Sequence, residues 1–251
     1  MAKMIHCTLC GERRPRARED VIPKWLAKEF GGKSSFVQHR WDSAEGQVIR
    51  HRPRRYGSAA AYKYPNVCGP CNNEWLKDIE DEAEPVLRGM VRSQPQVLDP
   101  DAQRVLSVWA YKTALLFDAW NYPRLIPESI GTRPFRVTRL PTMPTQVLLG
   151  THQPSDPRDS IQIRRNDPYK PDGQPLAQIL STAFTFTKAS WIARMAWWEA
   201  LDWPLEFVVP PNHDEVVQTW PQVHDTVEWP TSIALDLSGL WTVLKDIHFS
   251  F

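Results

Sequence analysis

The sequence predicts an α+β protein in two parts, and three observations support this. All four cysteines of the 251-residue chain fall in two C-x-x-C pairs, Cys7 with Cys10 and Cys68 with Cys71. Residues 104–120 carry apolar side chains at the spacing of an amphipathic helix. Beyond residue 121 the chain changes to short runs of branched and aromatic residues between prolines. We therefore expect a cysteine-bearing module in residues 1–95 and a mixed helix-plus-β-sheet domain in residues 96–251.

The two cysteine pairs have the spacing of a zinc site. A C-x-x-C loop turns tightly enough for both sulfurs to face one ion, and Gly69 and Pro70 suit such a turn. Two pairs can place four thiolates around one tetrahedral zinc ion at about 2.3 Å. The alternatives are redox motifs, structural disulfides or unrelated buried cysteines. The spacing favours a structural zinc held by Cys7, Cys10, Cys68 and Cys71.

Between the cysteine pairs the sequence predicts a link, a short helix and a β-hairpin. Residues 11–20 are polar and rich in arginine, which is typical of a link. Residues 21–30 form a helix pattern, with Pro23 in its first turn and Gly31 at its end. Residues 35–41 and 47–52, with a turn at 42–46, have the pattern of a hairpin.

Positive charge is concentrated in this part of the chain. Residues 1–60 contain thirteen Lys and Arg against six Asp and Glu, whereas the whole chain has a net charge of +1. The hairpin region holds Arg40, Arg50, Arg52, Arg54 and Arg55, with Trp41 and Tyr56 among them. Arginines interleaved with aromatics are typical of a nucleic-acid contact. The alternative is a solvated edge hairpin whose charge prevents strand pairing with other chains.

A second helix is predicted after Cys71, since apolar residues recur at helical spacing up to Leu87. Asn72 or Asn73 is expected to cap this helix, and Pro85 to kink or split it.

Residues 104–120 form the strongest helix pattern, after a capping loop at 99–103, and we interpret its apolar stripe as core. The candidate strands beyond it are residues 136–139, 146–151, 160–165, 177–187, 191–198, 206–209 and 233–237. Residues 153–175 are polar and proline-rich, which predicts a long exposed loop.

Neither a membrane span nor a signal peptide is expected. The chain has no run of about 18 apolar residues, and its first residues lack the apolar core of a signal peptide. Reduced thiolates suit the cytosol. We therefore expect a soluble, cytoplasmic protein without a membrane partner.

Three short motifs, taken together, narrow the interpretation of the N-terminal part. They are Cys7-x-x-Cys10, then Glu19-Asp20-Val21-Ile22-Pro23, then Asn66 with Cys68-x-x-Cys71-Asn72-Asn73. In this combination the first third of the chain resembles the zinc-bearing branch of the HNH, or ββα-metal, nucleases. The resemblance implies a zinc-stabilised, treble-clef-like ββα-metal module, and it includes nothing specific beyond residue 120.

The resemblance also implies catalytic roles. In such nucleases an acid–histidine pair ends the second strand, and the histidine is the general base. Carried over by position, Glu19 and Asn72 would bind one Mg²⁺ or Mn²⁺ ion, Asn66 would fix the loop, and Asp20 stands where the histidine belongs. Asp, with a pKa near 3.9, is a far weaker base than His, with a pKa near 6.5. Asp20 could instead be a second metal ligand, and His39 or His51 could supply the base.

Three functions follow as expectations. The first is an HNH-type endonuclease that hydrolyses DNA or RNA phosphodiesters, weakened by Asp20. The second is a catalytically inactive nuclease-fold zinc protein that binds nucleic acid or a protein partner, as in phage or bacterial defence and counter-defence. The third is a structural zinc protein with neither property.

Overall fold

A computed structural model of the protein describes residues 3–29, 36–44, 47–56, 63–121, 124–153, 160–169, 177–186, 188–197, 206–208, 214–245 and 248–250. Phe30 and Gly31, predicted to close the first helix, and residues 45 and 46 of the predicted turn lie outside these ranges.

Helices and strands are both abundant, which confirms a mixed α+β protein. The helices are α1 (Lys24–Glu29), α2 (Gly69–Asn73), α3 (Trp75–Val91), α4 (Pro100–Trp120), α5 (Thr132–Thr138) and α6 (Leu237–Lys245). The strands are β1 (Met4–His6), β2 (Arg13–Asp20), β3 (Phe36–Ala44), β4 (Gln47–Tyr56), β5 (Lys63–Cys68), β6 (Gln96–Leu98), β7 (Thr145–His152), β8 (Ser160–Tyr169), β9 (Ala177–Phe186), β10 (Ala189–Trp197), β11 (Glu206–Val208), β12 (Val216–Trp220), β13 (Val227–Trp229), β14 (Ala234–Leu235) and β15 (His248–Ser250). Within the described ranges, no helix is long and apolar enough to cross a membrane.

A small antiparallel sheet, in the order β1-β2-β5, carries the cysteines. Strand β2 is its centre, so the prediction of a link over residues 11–20 is wrong. The arginines misled the prediction because their charge suggested a loop. The backbone of Arg16 pairs with that of Cys68, while the side chains of Arg13 and Arg14 are exposed on a strand that is only partly covered.

Helix α3 runs through Pro85 without a break, so the predicted split is wrong. Pro85 is exposed, and water can therefore reach the carbonyl that the missing N–H leaves free. Neither Asn72 nor Asn73 caps this helix. Its N-cap is Glu74, which makes no side-chain capping bond.

Helix α4 forms the centre of the core. Asp99 caps it by accepting a hydrogen bond from the Ala102 N–H at 2.8 Å, as the capping loop predicted. The Trp109 ring packs on Phe184 and Trp191 of the large sheet, with ring centroids 5.7 and 5.3 Å away. The predicted assignment of the stripe to the core is confirmed.

The large sheet has the strand order β12-β7-β10-β9-β8-β3-β4, with β14 beside β7. The β3–β8 and β14–β7 pairs are parallel, and the other pairs are antiparallel. Helix α4 packs on one face, and Leu240, Val243 and Leu244 of α6 pack against the other. Five predicted strands are present, as β7, β8, β9, β10 and β11.

Three predictions in this region are wrong. The proposed strand at 136–139 lies largely in helix α5, because Phe135 packs edge-on against Trp75 and Tyr111. The proposed loop at 153–175 contains strand β8. The proposed strand at 233–237 is only β14, and helix α6 follows it.

The predicted hairpin is present as β3 and β4, and it belongs to the large sheet. Gln38 Nε2 donates to Gln162 Oε1 at 2.8 Å and to Asn121 Oδ1 at 2.9 Å, and these bonds fix β3 against β8 and the end of α4. The sheet thus draws on residues from both sides of the predicted boundary at 95 and 96. The division into two domains stays a prediction.

Candidate metal centre and the predicted catalytic residues

Four cysteine sulfurs meet where the small sheet joins α2. Cys7 and Cys10 lie in the loop between β1 and β2, Cys68 ends β5, and Cys71 lies in α2. All four Sγ atoms are within 4.8 Å of one another, and Cys10 Sγ is 3.8 Å from Cys68 Sγ. A tetrahedron with Zn–S bonds of about 2.3 Å has sulfur–sulfur edges of about 3.8 Å. The cluster could therefore hold a metal ion such as zinc.

The backbone prepares this geometry. The Gly11 N–H donates to the Cys7 carbonyl at 2.8 Å, and the Cys7 N–H donates to the Glu12 carbonyl at 3.0 Å. Gly11 has φ of +74°, a conformation that side chains disfavour, so glycine suits the close of the loop. The Cys68 N–H points at Cys7 Sγ over 3.4 Å, a bond that favours a thiolate there.

The four thiols are free, so the disulfide alternative finds no support. A hydrogen bond from Cys71 lowers the pKa of Cys7 and raises that of Cys71. Burial raises the pKa of Cys68. A thiolate therefore forms most readily at Cys7, while the hydrogen bond to Cys7 and burial keep the pKa values of Cys71 and Cys68 above their usual range. A divalent cation would remove that obstacle and deprotonate the remaining ligands.

Glu19, the predicted ligand of a catalytic ion, is buried against a lysine. Its side chain is 6 % exposed and its Oε1 lies 3.3 Å from Nζ of Lys112, which has no exposure. The same ammonium donates a hydrogen bond to Glu80 of α3. The Lys112 ammonium thus lies between the carboxylates of Glu19 and Glu80, and it occupies the place beside Glu19 Oε1 that a metal ion would take.

The protonation of this triad follows from its burial. Burial alone lowers the pKa of Lys112, but the attraction of Glu80 and Glu19 more than offsets it, so Lys112 stays charged. Burial raises the pKa of Glu19 to about 7, against the attraction of Lys112. The negative charge of Glu80, on the other side of the same lysine, adds a smaller repulsion that also raises the pKa of Glu19.

The other predicted catalytic residues make contacts with groups other than Glu19. Asp20 forms ion pairs with Lys24 at 3.6 Å and Lys63 at 3.5 Å. Asn72 donates to the side chain of its neighbour Asn73. Asn66 is exposed, and its backbone carbonyl accepts the Thr8 N–H at 2.9 Å.

These residues do not fit a Mg²⁺ or Mn²⁺ ion at Glu19, because Lys112 would repel it and Asp20 is already paired. Among the described side chains, the four cysteines are the only cluster of three or more His, Cys, Asp or Glu close enough to share an ion. The catalytic roles of Glu19, Asp20, Asn66 and Asn72 stay predictions. The backbones of His39 and His51 lie in β3 and β4, but their side chains fall outside the described part of the structure.

The arginines of the hairpin occupy neighbouring positions in the large sheet. In the strand register, Arg40 lies opposite Arg52 of β4 on one side and opposite Arg164 of β8 on the other. Arg54 lies opposite Gln38, and Arg50 lies opposite Asp42. Three arginine positions therefore form one row across three adjacent strands.

Sequence reasoning missed Lys112, Glu80 and Arg164. A lysine within the apolar stripe of residues 104–120 was a usable signal, because a buried lysine requires an acidic partner. Arg164 could not be placed beside Arg40, since the parallel pairing of β3 with β8 leaves no mark in the sequence.

No protein-family model, no curated protein and no solved structure matches this chain. The likeness to HNH nucleases therefore stays a resemblance of motifs. The geometry itself supports a plainer conclusion: the chain is a mixed α+β protein with a four-cysteine cluster able to hold a metal ion.

Proposed function

We propose that the chain is a zinc protein that binds DNA or RNA through the arginines of the β3–β4 hairpin, without cleaving it. The observation that carries this proposal is the row formed by Arg52, Arg40 and Arg164 across three hydrogen-bonded strands. Strands β3 and β4 together contain five arginines and one aspartate. Guanidinium groups match phosphate oxygens in a two-pronged hydrogen bond, so arginines at neighbouring positions of adjacent strands suit a phosphodiester backbone.

The zinc is a structural element of this proposal. A ligand set of four cysteines is typical of structural zinc, which needs no open coordination position. The first cysteine pair lies in a strand-to-strand loop and the second begins a helix, an arrangement that supports a treble-clef-like module related to the HNH motif.

Absence of cleavage is proposed because the acidic residues are engaged elsewhere. Lys112 neutralises Glu19, and Lys24 and Lys63 pair with Asp20. A hydrolytic site would need those carboxylates for a divalent ion that lowers the pKa of a water molecule. The nuclease hypothesis stays a prediction with less support than binding.

The alternative for the hairpin is edge protection. Strand β4 ends the strand order of the sheet and contains Pro53, and both proline and charge discourage pairing with another chain. Edge protection requires charge on the strand but no nucleic-acid binding. Phosphate contacts, in contrast, make the affinity for nucleic acid fall with salt, more steeply the more contacts there are.

The test measures binding of labelled duplex DNA and single-stranded RNA at several salt concentrations. Replacing Arg40, Arg50, Arg52 and Arg54, which occupy one face of the hairpin, by Ala should lower the slope of log K against log salt by about one for each phosphate that no longer has an arginine partner. The control replaces Arg92, which pairs with Glu29, and should leave the slope unchanged. Binding that ignores salt, or survives the fourfold change, would leave the hairpin as a protected edge. Failure to bind any nucleic acid would favour a protein partner.

Cleavage is assayed in the same samples with Mg²⁺ and with Mn²⁺. We expect intact substrate for the wild type, for Glu19→Ala and for Asp20→His. Cleavage that Glu19→Ala abolishes would reverse the proposal in favour of a nuclease, and a gain of activity in Asp20→His would identify Asp20 as a weak general base.

A further inference from the structure

A second basic surface surrounds the loop that carries Cys7 and Cys10. On one side lies β2, whose first residues Arg13 and Arg14 are both exposed. On the other side lies α5, whose Arg133 and Arg136 are also exposed. None of these four residues belongs to the hairpin, and they come from segments about 120 residues apart in the chain.

Specific contacts join the two segments. The Thr132 hydroxyl, at the start of α5, donates to the Thr8 carbonyl inside the cysteine loop at 3.0 Å. The next residue, Arg133, places its guanidinium Cζ 3.5 Å from the position that a Cβ on Gly11 would occupy. The Arg133 guanidinium therefore lies beside the loop at Gly11, and β2 begins two residues further on.

Acidic residues balance only part of this charge. Arg14 pairs with Glu12, and Arg133 pairs with Glu128, which also pairs with Arg124. Within the described part of the chain, neither Arg13 nor Arg136 has a carboxylate at ion-pair distance. Around the loop, the four exposed arginines Arg13, Arg14, Arg133 and Arg136 therefore have two acidic partners, Glu12 and Glu128.

We propose that this cysteine-loop surface, formed by β2, the loop and α5, is a second phosphate-binding surface for nucleic acid. The inference rests on the proposed function for its ligand, but not on the hairpin for its residues. Exposed arginines on a strand and a helix have their backbones fixed before a ligand binds, so less conformational freedom is lost when their side chains contact phosphates. Two separate basic surfaces would allow the protein to contact a longer stretch of backbone than the hairpin alone.

A competing role for the same arginines is electrostatic. Zinc bound by four thiolates carries a net charge of about −2, which nearby cations would stabilise. That role predicts faster release of zinc to a chelator when the arginines are removed, with no change in nucleic-acid binding. The two roles therefore differ in a measurable way.

The experiment compares three variants of the full chain. The loop-surface variant is Arg13→Ala/Arg133→Ala/Arg136→Ala, the hairpin variant is the fourfold change given above, and the control is Lys77→Ala/Arg92→Ala/Arg104→Ala. The control removes three exposed cations that each have an acidic partner. Binding of a labelled duplex and of a single strand is measured against salt, and zinc release is followed with a chelating dye.

We expect the loop-surface variant to lower the salt slope by about two to three relative to the control, with zinc release unchanged. If the wild type binds nucleic acid and the loop-surface variant binds as the control does, the inference about the cysteine-loop surface is overturned, while the proposed function is not. Loss of binding confined to the loop-surface variant would support it while overturning the role of the hairpin. No binding by the wild type would overturn both proposals, and faster zinc release with unaltered binding would assign the arginines to the metal cluster instead.

Discussion

Replacing Lys112 by Met tests the buried triad directly. Methionine is unbranched like lysine and only one heavy atom shorter, and it removes the charge, so Glu19 is left buried without its cation. Lys112 has no exposure and Glu19 is 6 % exposed, so water cannot readily replace the missing partner. Breaking a buried ion pair in this way costs about 3–5 kcal/mol when both groups are charged, so the variant is compared with the wild type at about pH 9, above the pKa of about 7 that burial gives Glu19. For a chain of this size each kcal/mol lowers Tm by about 2–4 °C, so we expect a fall of roughly 6–20 °C.

The assay is urea unfolding together with a thermal scan of the zinc-loaded protein. Lys77→Met is the matched control, because Lys77 forms an exposed pair with Asp81 on α3 and should leave Tm unchanged. Adding Glu19→Gln to Lys112→Met should recover part of the stability, since the uncompensated carboxylate is then absent. At that pH, a Lys112→Met protein within about 1 kcal/mol of the wild type would refute the argument, because an ionised Glu19 would then have lost its buried cation without the expected cost.

Three further outcomes are expected. Metal analysis should find one zinc per chain, and Cys68→Ser should lose the zinc and unfold the small sheet, because structural zinc contributes on the order of 10 kcal/mol to such modules; folded, reduced wild type without zinc would contradict this. Because the pKa of Glu19 is about 7 in the folded state against an ordinary value of 4.5, the folded state binds the extra proton between those pH values; stability should therefore fall as pH rises through that window, and Glu19→Gln should show a smaller fall across the same series of Tm measurements. Gly131→Ala would place a Cβ 2.7 Å from Ile126 Cγ2 and should lower the unfolding free energy by about 1–3 kcal/mol, whereas Gly69→Ala meets open space and should not.

The sequence was a good guide wherever spacing alone determines the structure. The two C-x-x-C pairs predicted the cluster of four sulfurs, because the tetrahedral geometry of a zinc ion restricts how its four cysteine ligands can be spaced in the sequence. The stripe of α4 and the capping role of Asp99 were readable because both depend on residues a few positions apart. The same holds for the hairpin of β3 and β4.

The sequence failed where distant parts of the chain decide the outcome. Strand β2 looks like a loop from its arginines, and only the pairing with β1 and β5 makes it a strand. Helix α5 looks like a strand until Phe135 is seen against Trp75 and Tyr111. Glu19 looked available for a metal ion because its partner, Lys112, lies on another element far along the chain.

The parallel pairing of β3 with β8 has a consequence for how the protein is made. Gln38 and Gln162, whose side chains bond across this pair, are 124 positions apart. The ribosome synthesises the hairpin long before β8, so the hairpin has no neighbouring strand in the large sheet until β8 has been made. Pairings of such long range form late and slowly. The arginine positions of the hairpin reach their final neighbours only after β8 has emerged, so a fragment that ends before residue 160 should retain the cysteine cluster without a finished arginine row.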